Sequence, residues 1–349
     1  EITKADEVAI LAEEIPFSMP VMLPALNVCP VASEKYVERY TSFFPKNALT
    51  GLRIGIYEHS SAGRDIYPQI FSTLGADVVS LGRSDSFVPI DTEAVSAEDR
   101  QRAKEWLREF DLDAVFSTDG DGDRPLLSDE NGQWLRGDIL GLLCSAHLGV
   151  TAAAVPVSCN SIIAASGLIP EVVLTKIGSP YVIAALESLL NKFENVAGFE
   201  ANGGYMLASN IHKYGRTLKA LPTRDALLSA VTLLVSSQQK KISAQVQALP
   251  ARYTSSDRLQ EFAASRSTAL LAKVVADANS VIKDFGFHNM SVAGMDMTDG
   301  VRLRLDNLDI IHLRPSGNAP ELRCYAESTT SDKADELVRM TLTAIKEKF

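Results

Sequence analysis

Leu112-Asp113-Ala114-Val115-Phe116-Ser117-Thr118-Asp119-Gly120-Asp121-Gly122-Asp123-Arg124 is the stretch on which the reading of this chain turns. Residues 112–117 form a short apolar run, the pattern of a buried strand, and the residues after it form a loop in which three carboxylates alternate with two glycines. Glycine lets the backbone curl, so Asp119, Asp121 and Asp123 can converge on one hard cation, Mg²⁺ or Ca²⁺, through oxygen ligands. A loop at the carboxyl end of a strand is also where open α/β sheets hold their ligands. Two readings compete with a metal loop. An EF-hand would place glycine where Arg124 stands, although counting from Asp119 does reach Glu130 at the twelfth position. A solvated acidic turn capping a helix would use the same residue types.

Outward from this loop the chain reads as repeated α/β units. A strand over 52–57, a helix over 65–74 stopped at Gly75 and a strand over 76–81 make a βαβ unit. Ser96 with Asp99 three residues later has the form of a capping box for a helix reaching Phe110. Beyond the Asn131-Gly132 turn, Asp138 is expected to cap a helix through His147, followed by a strand over 152–157. A strand over 172–175, a helix over 181–193, the glycine-rich 198–204 and a helix over 225–236 continue the pattern. Residues 249–257 read as a linker. After it, Val301, Leu303 and Leu305 alternate with Arg302 and Arg304, and further strands over 310–314 and 322–327 precede a final amphipathic helix, so the chain ends as α+β. Before all of this, a helix over 5–14 is followed by Pro16, Pro20, Pro24 and Pro30, which no helix interior tolerates. The expected divisions are 1–48, 49–150, 151–250 and 251–349.

The chain has 349 residues, 46 % hydrophobic and 22 % charged, ample for several cores. A formal net charge of −10 argues against nucleic acid as a partner. The most apolar stretch, 139–157, is interrupted by Cys144, Ser145, His147, Gly149 and Pro156, so no membrane span is expected. Four dispersed cysteines (Cys29, Cys144, Cys159, Cys324) make no disulfide framework, which suits a reducing cytoplasm. The opening Glu1-Ile2-Thr3-Lys4 has neither a basic nor an apolar leader region and reads as an internal cut.

Three other segments carry chemistry. Arg314-Pro315-Ser316-Gly317-Asn318-Ala319-Pro320, with Arg323 close behind, can form a phosphate cradle from backbone N–H groups and forked guanidinium donors, or a simple turn with its arginines in water. Gly198-Phe199-Glu200-Ala201-Asn202-Gly203-Gly204 offers a carboxylate and an amide to paired sugar hydroxyls, or merely turns. Lys176, in Lys176-Ile177-Gly178-Ser179-Pro180, lies at a strand end where it can meet an anion or solvent. His59-Ser60-Ser61 lacks a nucleophile elbow and reads as a turn, and no G-x-G-x-x-G or Walker lysine supports a nucleotide.

Together these loops resemble those of the α-D-phosphohexomutases, the phosphomannomutase/phosphoglucomutase family. The family's D-G-D-G-D-R is matched in full by Asp119 to Arg124. Its G-E-x-S-G-H is approximated by residues 199–204, its R-P-S-G-T-E-P by Arg314 to Pro320, and its T-K-V-G by Thr175-Lys176-Ile177-Gly178. The resemblance implies two complete repeated mixed-sheet α/β domains and a C-terminal antiparallel α+β domain, preceded by the tail of a truncated first α/β domain. It implies interconversion of hexose 6-phosphate and hexose 1-phosphate, of mannose with glucose as an alternative, through a phosphoserine and a hexose 1,6-bisphosphate. Carried over, Asp119, Asp121 and Asp123 would hold Mg²⁺, and Arg124 and Lys176 would serve the transferring group. Glu200 and Asn202 would hold sugar hydroxyls, and Arg314, Ser316, Gly317, Asn318 and Arg323 would grip the distal phosphate. Three departures stand out. Asn202-Gly203-Gly204 replaces S-G-H, so the family histidine is absent, and Asn318-Ala319 replaces T-E. The serine motif T-A-S-H-N-P occurs nowhere in the chain, and about a hundred residues, one domain's worth, are expected to be missing or supplied separately. A metal-dependent sugar phosphohydrolase, with an aspartate as nucleophile, and a non-catalytic sugar-phosphate binding protein are the rival readings.

Overall fold

The computed structural model describes residues 4–12, 25, 27, 29–316 and 319–349. Two units divide the chain, Glu1–Lys35 and Tyr36–Phe349. In the first lies a short helix, Lys4–Ala12. The expected proline-interrupted stretch behind it falls mostly outside the described residues. The helix Val31–Phe43 runs across the division. Its Tyr40 and Phe43, with Phe44 and Leu49, are buried in the large core of the second unit, where the sequence suggested a linker up to residue 48.

Three large sheets and a two-stranded hairpin make up the β-structure of the second unit among the described residues. The first contains β1 (Arg53–Tyr57), β2 (Asp77–Leu81), β3 (Ala114–Thr118) and β4 (Pro125–Leu127), in the order β2-β1-β3-β4. β1 is parallel to β2 and β3, and β4 returns antiparallel along β3. The crossover helix Ala97–Phe110 starts as its sequence indicates, with the Ser96 hydroxyl accepting from the Asp99 N–H at 3.0 Å.

The second sheet contains β5 (Ala152–Pro156), β6 (Glu171–Thr175), β7 (Val196–Phe199) and β8 (Tyr205–Leu207). A two-stranded hairpin, β9 (Ile211–Lys213) and β10 (Arg216–Leu218), precedes its last strand, β11 (Leu221–Asp225). From the β6 edge the order is β6-β5-β7-β8-β11. Its first four members repeat the pattern of the first sheet, with three parallel strands and one antiparallel return. The acidic loop 119–124 between β3 and β4 and the loop 200–204 between β7 and β8 therefore occupy equivalent places in the repeat. Both sheets share one continuous core containing Phe71, Phe116, Phe199 and Tyr205.

The third sheet is antiparallel throughout. It contains β12 (Tyr253–Leu259), β13 (Val292–Asp296), β14 (Val301–Leu305), β15 (Ile310–Pro315) and β16 (Leu322–Ser328), in the order β12-β16-β15-β14-β13. Strand alternation puts Val301, Leu303, Leu313 and Cys324 into a core shared with the helices Ala264–Ala276, Ala278–Asp284 and Ser331–Lys348. The opposite face carries Arg302, His312, Arg314, Arg323 and Tyr325.

Two local expectations are corrected. Residues 253–259 are the edge strand β12, paired from Tyr253↔Ser328 to Leu259↔Leu322. Its half-exposed polar side chains hid the strand period that a buried sheet face would show. Asp138 is not the cap of the helix Gly137–Leu148, whose N-cap is Arg136. Asp138 sits in the first turn with no exposed surface, pairs with Arg136 Nε at 2.9 Å and accepts from the Asn160 N–H at 2.8 Å. It thus ties that helix to the second sheet.

Candidate active site

The acidic loop is a tight hairpin between two strands. Asp119 N–H donates to the Arg124 carbonyl at 3.2 Å, and Arg124 N–H donates to Asp119 Oδ1 at 3.2 Å. The loop is braced from below by the turn after β1. Ser61 Oγ meets Thr118 Oγ1 at 2.6 Å, the His59 ring meets the Thr118 carbonyl at 2.9 Å, and Tyr67 donates to the Gly122 carbonyl at 3.2 Å. His59 and Ser61 therefore support the loop as a turn, and nothing activates either as a nucleophile.

Ligand oxygens of Asp119, Asp121 and Asp123 lie within 4.8 Å of one another. Burial, Asp121 and then Asp123 push the Asp119 carboxyl up to about 6, and Asp123 Oδ1 is buried without a hydrogen-bond partner. Such a carboxylate set fits a divalent cation, whose charge would offset both penalties. Neither the helix cap nor the twelfth-position ligand of the competing readings is found here. The loop caps no helix, and Glu130 leaves it for Ser243, accepting from that residue's hydroxyl and, at 3.3 Å, its N–H. Removing one charge should separate the two effects of the cluster. At pH 8, Asp121→Asn should raise the melting temperature in EDTA and abolish the further rise on adding Mg²⁺. A lower melting temperature in EDTA would show that the carboxylates do not repel.

Glu200 follows β7 directly and is 5 % exposed. Burial raises its carboxyl above the usual range, while Arg224 and Arg124 pull it back, and Oε2 has no hydrogen bond. Asn202 turns its Oδ1 onto the Gly204 N–H at 3.0 Å, leaving its amide donors for a ligand. Its carbonyl accepts from Thr92 Oγ1 at 2.8 Å. Gly203, at φ +95°, lies against Pro125, the first residue after the acidic loop. Arg224 closes the gap, with Nε 2.8 Å from Asp123 Oδ2 and Nη1 3.9 Å from Glu200 Oε2.

Arg314 and Arg323 are directly opposite each other on β15 and β16, and Arg258 is opposite Arg323 on β12. Cross-strand partners share a face, and like charges so placed destabilise a sheet unless an anion joins them. Glu321 lies 3.7 Å from Arg258 and 3.9 Å from Arg323, while Arg314 Nε pairs with Asp299 at 2.9 Å. The same Asp299 oxygen accepts from the Ile177 N–H at 2.9 Å, joining the third sheet to the end of β6. Lys176 is adjacent and exposed, its Nζ 5.8 Å from the Tyr181 ring centre. Ser316 donates its N–H to the Glu321 carbonyl at 2.9 Å. Gly317 and Asn318 lie outside the described residues. A cleft of about 340 Å³, lined by Asp91, Glu93, Ser256, Arg258, Arg323 and Tyr325, runs between the 91–94 segment and the arginine face.

Models of the phosphoglucomutase/phosphomannomutase family match the chain three times. They are alpha/beta/alpha domain II over 34–132, alpha/beta/alpha domain III over 136–253 and the C-terminal domain over 258–344. The chain belongs to this family. It is 54 % identical to the phosphomannomutase of Salmonella muenchen over 349 residues, all of this chain and 73 % of that protein. In fold it resembles a phosphoglucomutase/phosphomannomutase family protein of Burkholderia thailandensis, with a TM-score of 0.70 and 20 % identity over 91 % of this chain and 65 % of the other. It also resembles an Aspergillus fumigatus N-acetylphosphoglucosamine mutase solved with GlcNAc-6P and magnesium, with a TM-score of 0.58 and 15 % identity over 90 % of this chain and 66 % of the other. Relative to those solved structures the chain spans about two thirds of the length.

As members of a family of isomerases, the loops at Asp119, Glu200 and Arg314 are now joined by residues that no motif singled out. Arg224 and Asp299 stand in no recognisable pattern, and each acts across two sheets. Arg258 directly follows the segment read as a linker, where one arginine beside polar residues carries no signal.

Proposed function

We propose that the chain is the substrate-holding part of a phosphomannomutase, which interconverts mannose 6-phosphate and mannose 1-phosphate, with glucose phosphates as alternatives, through an enzyme phosphoserine and a hexose 1,6-bisphosphate. The observation that carries this reading is the run of contacts that joins the acidic loop, the Glu200 loop and the 91–94 segment bordering the arginine face. Arg224 joins the acidic loop to Glu200, Thr92 joins the 91–94 segment to Asn202, and that segment faces Arg323. The Salmonella relative's name supports mannose as the sugar.

Asp119, Asp121 and Asp123 would hold Mg²⁺, which neutralises charge on a transferring phosphoryl group. Arg124, whose Nε is buried without a hydrogen bond, is placed to meet that group's oxygens. Glu200 accepts from sugar hydroxyls and Asn202 donates to them. Arg314, Arg323, Arg258 and residues 316–318 hold the phosphate that does not react, while Lys176, with Arg124, serves the transferring group. Binding at the far phosphate thereby orients the sugar for chemistry at the near one. All four cysteines are free thiols, which supports a reducing compartment such as the cytoplasm. Among the described residues no helix is long and apolar enough to cross a membrane.

Calorimetry of the 349-residue chain in Mg²⁺ tests the reading. Mannose 6-phosphate and mannose 1-phosphate should both bind, and mannose should bind at least tenfold more weakly, the scale of one charged hydrogen bond. Equal affinity for sugar and sugar phosphate would refute it. Phosphate release from mannose 6-phosphate would favour the phosphohydrolase, a role that Asp119, whose Oδ1 is engaged by the Arg124 N–H, is poorly placed to fill.

A further inference from the structure

Arg224 serves two carboxylates that the proposed function commits to different ligands. Its backbone lies at an irregularity of β11, and the residue after it is anchored. The next residue, Asp225, caps the helix Ala226–Ser237 by accepting from the Leu227 N–H at 3.1 Å, and also accepts from the hydroxyls of the half-buried Tyr36 and the buried Tyr40. Its side chain runs along Gly204, where a Cβ would come within 2.7 Å of Arg224 Cδ. Any side chain at 204 would thus displace it. At the tip, Nε is 2.8 Å from Asp123 Oδ2 and Nη1 is 3.9 Å from Glu200 Oε2. Arg224 satisfies neither carboxylate fully, since Asp123 Oδ1 and Glu200 Oε2 are both buried without a hydrogen bond.

We propose that Arg224 is a positioning residue that couples divalent-metal binding at the acidic loop to sugar binding at Glu200. A cation ligated by Asp123 competes with the guanidinium for the same carboxylate. The released guanidinium then pairs with Glu200 and fixes its orientation toward the sugar hydroxyls. Guanidinium geometry suits this exchange because the planar fork reaches both loops without moving its stem. Linkage makes the effect reciprocal, so the metal strengthens sugar-phosphate binding by the factor by which sugar phosphate strengthens metal binding. Burial raises the carboxyls of both Asp123 and Glu200 and Arg224 lowers both, as a shared counter-charge requires.

The inference rests on the proposed function, and titration calorimetry of the 349-residue chain with Mg²⁺ and mannose 6-phosphate, each with and without the other, tests the two separately. In the wild type, Mg²⁺ should tighten mannose 6-phosphate binding by about fivefold or more, the low end of measured couplings. Arg224→Gln should bind Mg²⁺ more tightly than the wild type, because a competing cation is gone, yet bind mannose 6-phosphate more weakly and with little dependence on Mg²⁺. Arg224→Lys, which keeps the charge without the fork, should recover part of the coupling. A merely structural arginine would instead lower both affinities together with the melting temperature, and that result would overturn the inference. Full coupling in Arg224→Gln would also overturn it, assigning the effect to direct contact between metal and phosphate. A wild type that binds both ligands without coupling refutes the inference alone, whereas one that binds neither refutes the proposed function as well.

Discussion

Mannose 6-phosphate affinity should fall by about 3–6 kcal/mol, more than a hundredfold, when Arg314 and Arg323 are both replaced by alanine, taking 1.5–3 kcal/mol for each lost charge-assisted hydrogen bond. The two guanidinium groups oppose each other across β15 and β16, with Arg258 next in the row. Cationic neighbours at that spacing are a cost to the free protein and a gain only when an anion lies among them. Two consequences distinguish a phosphate cradle from a wet sheet face. Arg323→Ala alone should leave the melting temperature little changed, because the repulsion it relieves on both sides offsets the loss of its half-exposed ion pair with Glu321. Arg258→Ala should weaken phosphate binding less than Arg314→Ala, since the Arg258 side chain is 50 % exposed and that of Arg314 18 %. Arg314→Ala carries an added penalty, because it strips Asp299 of its ion pair and loosens the link to Ile177. Calorimetry with mannose 6-phosphate reads these differences directly. A loss below threefold in the double variant would show that the arginines do not hold the phosphate.

Gly203→Ala should lower folding stability by roughly 2–5 kcal/mol, combining the 1–2 kcal/mol of a left-handed residue with the 1–3 kcal/mol of overpacking. At φ +95° the backbone disfavours any side chain, and a Cβ would lie 2.9 Å from the Pro125 ring and 3.1 Å from the Pro125 carbonyl oxygen. Relief by a side-chain rotation is unavailable, because the obstacle is a proline and its backbone. Relief would have to come from separating the Glu200 loop from β4, which begins just after Arg124. Ligand binding should suffer along with stability, as the Arg224 bridge spans that same gap. Urea unfolding and mannose 6-phosphate titration of the variant check both statements. Full stability with normal affinity would mean that the two loops are not in firm contact.

Each loop stood out in the linear chain because each is a continuous run of residues with an uncommon composition. Asp119 to Arg124 is marked by charge density and glycine spacing, and Arg314 to Pro320 by an arginine before a Pro-Ser-Gly-Asn run. The parallel strands were legible for a similar reason. Buried β-strands such as β3 and β5 are mostly apolar, and capping residues such as Ser96 mark where helices begin. What folding alone decided is everything that depends on neighbours distant in the chain. β12 is an edge strand whose polar residues form no period, so Arg258 joined the arginine row only when β12 aligned with β16. Asp138 carries the mark of a cap, yet it lies within the first helical turn, where Arg136 and the Asn160 N–H hold it. Arg224 lies 101 residues from Asp123 and Asp299 lies 122 from Ile177. A lone arginine or aspartate has no local signature, because its partner is chosen by the packing of sheets on a shared core and not by its sequence neighbours.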